Sequence, residues 1–197
     1  MRGLGLVVGI AILLMLSSWG IGQEPPKAQL APPHKIIGQT ADPGPLADMA
    51  WFVGKWRAVA KPPNGEPPVI IDSDMRWSEN HRAITFQVWF TTKGKREAHY
   101  FGMYAWDPGE KTLKMWQTAV DGNLSIGKAK TDGKTLEQDT HMVRADGSTQ
   151  EQHAVIVGDG KDAFDWKVQL QKDGQWVDAL KLRYERVKTT SKTGGMQ

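Results

Sequence analysis

Asp-Gly pairs recur at nearly regular intervals through the second half of the chain. They occur at Asp121-Gly122, Asp132-Gly133, Asp146-Gly147, Asp159-Gly160 and Asp173-Gly174, in steps of 11, 14, 13 and 14 residues. Such a pair suits a tight type I′ hairpin turn, because glycine adopts positive φ freely and aspartate tolerates it. A turn every dozen residues leaves room for one strand, but not for a helix and a strand. The spacing therefore predicts consecutive antiparallel hairpins.

Four earlier segments are also rich in turn-forming residues. They are Asn64-Gly65, Glu79-Asn80-His81, Lys93-Gly94-Lys95 and Asp107-Pro108-Gly109. Nine turns separate ten strands, and an open sheet of that size would leave two long edges exposed. Closing the sheet removes both edges. The sequence thus predicts an all-β fold: a single antiparallel up-and-down meander barrel of about ten strands. A two-sheet sandwich is the alternative. Its Greek-key topology needs some long connections between strands, whereas all the connections predicted for this chain look short.

Apolar and polar residues alternate along several of the predicted strands. The apolar positions that share a face are Ile84, Phe86, Val88 and Phe90; Phe164, Trp166, Val168 and Leu170; and Leu180, Leu182 and Tyr184. Period-two alternation is typical of a sheet with one buried and one solvated face. We therefore expect these side chains to point into the barrel.

The chain divides into four predicted segments. Residues 1–22 have the pattern of a signal peptide, with Arg2 before an uncharged apolar run and small residues at its end. An uncleaved anchor is the alternative, since the run is nearly long enough to span a bilayer. Residues 23–45 form a Pro-rich tether, residues 46–187 the barrel, and residues 188–197 a disordered polar tail. We expect an exported protein, periplasmic or secreted, with no stable membrane span once the leader is cleaved.

Composition excludes several classes of function. The chain has no cysteine, which rules out disulfides, zinc–thiolate sites and thiol catalysis. Its formal net charge is +3, and the basic residues are scattered rather than gathered into the stripe that a nucleic-acid surface needs. Motifs for nucleophilic hydrolysis, phosphate loops, dinucleotide binding and metalloprotease zinc are all missing. These observations favour a protein that is not an enzyme.

Three residues are predicted to close the barrel at one end. The apolar segment 46–52 is expected to form a short helix that closes this end, and Gly54 lets the chain bend from it into the first strand. Trp56 can then point inward. Arg186 lies an even number of residues from the apolar residues of the last strand, so it shares their parity and should point inward with them. The last strand neighbours the first in a meander barrel. We expect Arg186 to lie on the Trp56 ring, in a cation–π contact of about 0.5–2 kcal/mol.

This Gly-x-Trp motif with a closing arginine resembles the calycin superfamily: lipocalins, fatty-acid-binding proteins and nitrobindin-like barrels. Three segments, Leu46–Trp56, Gly102–Asp107 and Leu182–Val187, more closely resemble an uncharacterised exported bacterial family. The resemblance spans roughly residues 46–187. It implies a calycin-like barrel in which Gly54, Trp56 and Arg186 are structural.

We expect the interior to bind a small apolar or amphipathic ligand without catalysis. The candidate ligand-binding residues each lie on the same face of their strand as apolar neighbours. They are His99, Phe101, Met103, Trp166 and Tyr184. The polar end of the ligand is expected near Tyr184 or His99. Fatty-acid-binding proteins hold a carboxylate with an Arg-x-Tyr pair on the last strand, and here the order is reversed, with Tyr184 before Arg186. Arg186 could meet a ligand carboxylate, but we expect it to meet the Trp56 ring and nearby carbonyls instead.

The alternative hypothesis is a structural or protein-interaction module with a filled barrel and no ligand. Trp89, Trp106 and Trp116 oppose the parity of Phe86, Met103 and Met115, so some of them are expected on the outer face. Aromatic residues there bind sugars or protein partners; the alternative role is to cover the seams of the barrel and to pack under the helix of residues 46–52. An enzyme that uses the cavity is the third hypothesis.

No cofactor and no metal are expected. Nitrobindin-like barrels hold haem through a histidine in the late strands, and residues 163–170 and 176–187 contain none. His141, His153 and Glu151 are a possible zinc ligand set on neighbouring strands. Their spacing alone does not make them converge, so we expect ordinary half-exposed polar side chains.

Overall fold

Ten strands form a closed antiparallel barrel in the computed structural model, which describes residues 43–62 and 65–188. A 3-10 helix, η1, spans Gly44–Phe52. The strands are β1 (Gly54–Ala60), β2 (Val69–Trp77), β3 (Ala83–Thr92), β4 (Lys95–Asp107), β5 (Thr112–Ala119), β6 (Leu124–Thr131), β7 (Thr135–Val143), β8 (Thr149–Asp159), β9 (Ala163–Lys172) and β10 (Gln175–Arg186). Each strand pairs with the next, and β10 pairs with β1. The predicted ten-stranded up-and-down barrel with a short N-terminal helix is confirmed.

Parts of the predicted segments fall outside the described residues. These parts are the whole leader (1–22), the tether up to residue 42, Asn64 of the first predicted turn, and the tail from residue 189. In the part of the chain that the structure describes, no helix is long and apolar enough to cross a bilayer.

All five Asp-Gly pairs lie at hairpins, but their geometry differs from the expected type I′ turn. Only at Asp173-Gly174 do both residues have positive φ, at 51° and 77°. At the other four pairs only the glycine does, and the aspartate carboxylate instead accepts backbone N–H groups at three of them. Asp132 Oδ1, for example, accepts from Lys134 N at 2.9 Å and Thr135 N at 2.6 Å. The turn positions were therefore predictable, whereas the type I′ geometry is wrong at four of the five pairs.

Helix η1 fills the end of the barrel at which β1 begins. Its side chains Leu46, Met49 and Phe52 are buried in the core. The Phe52 ring lies 6.1 Å from Tyr104 in an edge-on arrangement and 5.5 Å from Phe164 in a tilted one, centroid to centroid. The apolar spacing of this segment thus presses one face of the helix onto the barrel interior.

The inward faces of β3, β9 and β10 are the predicted ones. Most of the expected inward residues either belong to the buried core, as do Ile84, Phe86, Phe164, Leu182 and Tyr184, or line the interior cavities, whereas Leu170 of β9 is half-buried and does neither. Alternation identified these faces because each strand has a polar opposite face.

Along β4 the inward face is the opposite of the predicted one. The residues that point inward are Tyr100, Gly102 and Tyr104. Phe101 is 45% exposed, and Met103 lies on the same outer face, so the expected inward orientation is wrong for both. A Cβ at Gly102 would lie 2.3 Å from Cζ of Phe86, because that ring fills the space beside the strand. Because Gly102 has no side chain, it interrupts the apolar alternation of the inward face of β4, and the sequence pattern therefore favoured the opposite face.

Candidate functional site

Arg186 joins three parts of the chain at the end of the barrel that η1 closes. Its guanidinium carbon lies 4.0 Å from the centroid of the Trp56 ring, and the two residues are paired across β1 and β10. Nη1 donates to the Val53 carbonyl at 3.0 Å, Nη2 to Trp51 at 3.1 Å, and Nε to Lys161 at 2.7 Å. One side chain therefore ties the end of η1 and the β8–β9 turn to the seam between the first and last strands.

Gly54 and Trp56 complete this closure. Gly54 has φ of 142°, and a Cβ there would lie 2.1 Å from Nη1 of Arg186. Trp56 Nε1 donates to the Phe52 carbonyl at 2.9 Å, and its ring meets Phe164 edge-on at 4.8 Å. The structure thus brings Gly54, Trp56 and Arg186 together at the closed end of the barrel, and none of the three borders an interior cavity. Their contacts hold this end of the barrel together.

Two adjoining cavities of about 200 Å³ and about 60 Å³ lie inside the barrel. The residues that line both are Val88, Gln117, Gln138, Trp166 and Tyr184. Phe52 of η1 borders the smaller cavity, whereas Leu180, which is 37% exposed, borders the larger. A water molecule occupies about 30 Å³ of liquid. The larger cavity therefore has room for a small organic molecule.

The wall of the larger cavity has an apolar and a polar part. Strands β2, β3, β5, β9 and β10 contribute its apolar side chains and the Trp166 ring; these residues are Ile71, Val88, Phe90, Met115, Trp166, Val168 and Leu180. Strands β5, β7 and β8 contribute Gln117, Gln138, Thr140 and Gln152. No histidine and no charged residue lines either cavity. The interior is thus amphipathic without being charged.

Some of these polar groups bond to one another. Gln138 Nε2 donates to the Tyr104 hydroxyl. The Thr140 hydroxyl donates to Gln152 Oε1 at 3.2 Å. The Gln117 carboxamide and the Tyr100 hydroxyl, in contrast, have no side-chain hydrogen-bond partner among residues 43–62 and 65–188. The larger cavity therefore presents both an amide and a hydroxyl with unused hydrogen-bonding capacity.

The three tyrosines of the chain all face the interior, and burial raises the pKa of each. For Tyr104 and Tyr184 desolvation is the largest cause, and hydrogen bonds from Gln138 and Ser73 act in the opposite direction. For Tyr100 the negative charge of Asp121 adds to desolvation and raises the pKa further. Even an ordinary tyrosine is protonated at neutral pH, so all three hydroxyls can donate hydrogen bonds there.

Tyrosine ionisation is expected to be coupled to unfolding. Below about pH 10 both the folded and the unfolded chain hold these protons, and above it the unfolded chain releases them first. The stability of the barrel should therefore fall as pH rises above 10. Tyrosinate absorbance at 295 nm should stay low until the chain unfolds. Phe101→Tyr, which places a tyrosine on the outer face, should add a component that titrates near pH 10. Free titration of all three native tyrosines in the folded protein would contradict their burial.

Of the five predicted ligand-binding residues, two line the cavities. Trp166 and Tyr184 border both cavities. His99 lies at a bulge, where the β3–β4 register shifts, and its ring stacks on Phe90 at 4.1 Å without lining either cavity. Phe101 and Met103 are on the outer face, as described above. A ligand role for His99, Phe101 and Met103 inside the barrel therefore has no support from their positions.

The polar wall contains residues that the sequence-based reasoning missed. They are Gln117, Gln138, Thr140 and Gln152. A signal was present, because Gln117 shares parity with Leu113 and Met115, and Gln138 shares parity with Leu136. A polar side chain in a buried row indicates either a satisfied core polar group or a cavity. Only the distance across the barrel distinguishes the two.

The histidines considered for zinc lie on the outer face. His141 Nδ1 contacts Glu151 Oε1, and His153 Nδ1 contacts Asp139 Oδ1 at 2.7 Å, each pair directly opposite across β7 and β8. No group of three or more histidine and carboxylate side chains among the described residues is arranged to hold a metal ion.

The outer-face tryptophans are placed partly as expected. Trp89 lies under the Arg96 guanidinium at 4.3 Å, and Trp116 meets Phe101 edge-on at 6.3 Å. Trp106 instead packs against the core, because it shares the inward parity of Tyr104. Trp89 and Trp116 are therefore the outer-face tryptophans of the three, and Trp106 is not.

Comparisons with known proteins add information on the fold. No family model matches the chain, and no curated protein matches it. The structure of Rv2717c from M. tuberculosis is similar, with a TM-score of 0.51 and 16% identity over 74% of this chain and 98% of that one. A second similar structure is that of EF1p2_mFAP2b bound to DFHBI, with a TM-score of 0.33 and 12% identity over 71% of this chain and 97% of that one. The likeness to Rv2717c and the closed ten-stranded meander together fit a calycin-like barrel.

Proposed function

We propose that this protein is an exported, non-catalytic barrel that binds a small apolar or amphipathic molecule in its interior. The observation that carries the proposal is the pair of adjoining cavities, lined by aromatic side chains and uncharged polar groups. Concave apolar sites with a few converging polar groups are typical of small-molecule binding. Export rests on the signal-peptide pattern of residues 1–22, and N-terminal sequencing of the mature protein would check it.

The chemistry of the lining supports binding over catalysis. None of the residues that border the cavities is a histidine, aspartate, glutamate, lysine or cysteine. General acid–base catalysis needs a group whose pKa lies near the working pH. The buried tyrosines have pKa values raised away from neutrality, so they donate hydrogen bonds but do not exchange protons readily.

The alternative, a protein-interaction module, is supported by a different surface. Phe101 and Ile126 are 45% and 49% exposed on the outer face, next to Trp116. A filled interior was part of that hypothesis, and the cavities count against it. The two functions are separable, because the cavity and this patch lie on opposite faces of the sheet.

The neutral fluorophore N-phenyl-1-naphthylamine provides a direct test of interior binding. We expect one equivalent to bind with increased emission and to raise the melting temperature as its concentration rises. Val88→Trp, which fills the cavity, should weaken binding at least tenfold. Gln87→Trp is the matched control, because it adds the same side chain one residue away on the outer face, and it should bind as the wild type does.

Two outcomes would contradict the proposal. One is equal binding by the wild type, Val88→Trp and Gln87→Trp, since the probe would then sit elsewhere. The other is a lack of any signal with this fluorophore and with a panel of fatty acids, isoprenoids, sterols and neutral aromatic molecules. In the second case, variants of Phe101, Trp116 and Ile126 would be the first to examine for protein binding.

A further inference from the structure

We infer that the ligand of this cavity is uncharged and carries a carboxamide-like edge that both donates and accepts hydrogen bonds. The inference rests on the proposed function and narrows it to a chemical class. Three features of the larger cavity carry it: its lack of charge, its two tyrosine hydroxyls, and its glutamine side chains, which lie among apolar and aromatic ones.

The lack of charge disfavours an ionised ligand. A carboxylate, phosphate or ammonium that leaves water needs an opposite charge or several hydrogen bonds to compensate for its lost hydration. Neither an arginine nor a lysine, aspartate or glutamate borders either cavity. Arg186, which the sequence placed near Tyr184 as a possible carboxylate anchor, instead donates to Val53, Trp51 and Lys161 at the closed end.

The protonated tyrosines point to the same class. Tyr100 and Tyr184 border the larger cavity, and at neutral pH each hydroxyl is a neutral donor and acceptor. A neutral phenol that lines a cavity suits a carbonyl or amide group. A negatively charged ligand beside these hydroxyls would have no fixed positive charge to meet.

The glutamines supply hydrogen-bonding groups that match a carboxamide-like edge. Each carboxamide offers two donors and an acceptor, and Gln117 uses none of them with another described side chain. Gln138 borders the same cavity from β7, and its Nε2 already donates to Tyr104, which leaves its carbonyl oxygen to accept. Phe90 on β3 and Trp166 on β9 offer ring surfaces in the same cavity. A flat molecule with a polar edge can contact these rings and the amides at once.

Four naphthalene derivatives of nearly equal shape test the inference. They are 2-naphthamide (neutral, donor and acceptor), 2-naphthoate (anionic), 2-naphthamidine (cationic at neutral pH) and 2-isopropylnaphthalene (without polar atoms). We expect 2-naphthamide to bind at pH 7 at least about a hundredfold more tightly than either ion. All binding should be measured on the full chain, with Val88→Trp to identify binding inside the barrel.

A variant of the polar wall tests the hydrogen-bonding edge. Gln117→Leu keeps the size of the side chain and removes its amide, so it should weaken 2-naphthamide binding about three- to tenfold. Binding of 2-isopropylnaphthalene should be unchanged or tighter. Thr118→Val, the neighbouring outward position on β5, is the control and should leave both affinities as in the wild type.

The outcomes separate this inference from the function on which it rests. If either ion binds as tightly as the amide and Val88→Trp abolishes that binding, the barrel binds ligands but the uncharged class is wrong. If Gln117→Leu weakens the amide and the hydrocarbon equally, the hydrogen-bonding edge is wrong. If none of the four binds, and neither does N-phenyl-1-naphthylamine, the proposed function itself fails.

Discussion

Replacing Trp56 with alanine is expected to lower the free energy of unfolding by about 3–5 kcal/mol. Its side chain is 1% exposed, packs edge-on against Phe164, and donates to the Phe52 carbonyl. The alanine would leave a cavity at the point where β1, β10 and η1 meet, and it would leave that carbonyl without its donor. Urea unfolding monitored by circular dichroism measures the loss.

The effect should be coupled to that of Arg186→Ala, because the guanidinium lies on the Trp56 ring. Residues in contact give interaction energies of about 0.5–3 kcal/mol in a double-mutant cycle. Arg183→Ala is the matched control on the same strand. Its side chain is half exposed and pairs with Asp159 and Asp165 on the outer face, so its loss should be below about 1 kcal/mol. Strict additivity between Trp56→Ala and Arg186→Ala would show that the pair does not stabilise the closure.

Gly127→Ala is expected to be the most damaging alanine substitution among the strand glycines with ordinary φ, at about 3 kcal/mol. A Cβ there would lie 2.0 Å from the Asp139 carbonyl oxygen and 2.6 Å from the Thr140 Cα. Both are backbone atoms of β7, so no side-chain rotation relieves the clash, and β6 and β7 must separate. The denaturation midpoint should fall well below that of the wild type.

Gly158→Ala is the control for this substitution. Its Cβ would lie 3.2 Å from the Lys134 carbonyl oxygen and 3.4 Å from the Trp51 ring, so small adjustments suffice. We expect a clearly smaller loss of stability than for Gly127→Ala. Equal losses at the two positions would mean that the close approach of β6 and β7 at Gly127 does not decide the effect.

The position of the closure also bears on function. Trp56 and Arg186 border neither cavity, whereas Tyr184, two residues before Arg186, borders both. Substitutions at the closure should therefore change the stability of the barrel, and substitutions at Gln117 or Val88 should change binding. This separation lets the two kinds of variant serve as controls for each other.

Much of the barrel followed from local sequence features. Glycine φ preferences and the spacing of turns predicted ten strands, and alternation on β3, β9 and β10 predicted their inward faces. Parity on β10 also predicted that Arg186 would meet Trp56, since the first and last strands of a closed meander must be neighbours. These features act within one hairpin or along one strand, so the order of residues carries them.

The cavity was decided by the tertiary structure. Alternation tells which residues of a strand share a face, but Gly102 hid the inward row of β4 and led to Phe101 and Met103 being assigned inside. Whether Gln117, Gln138 and Gln152 border an open space depends on the distance across the barrel where they lie. That distance is set by closure and by the packing of every inward side chain together. A polar residue in a buried row looks the same in the sequence whether it meets a partner or an open space, and only the packed barrel decides between them.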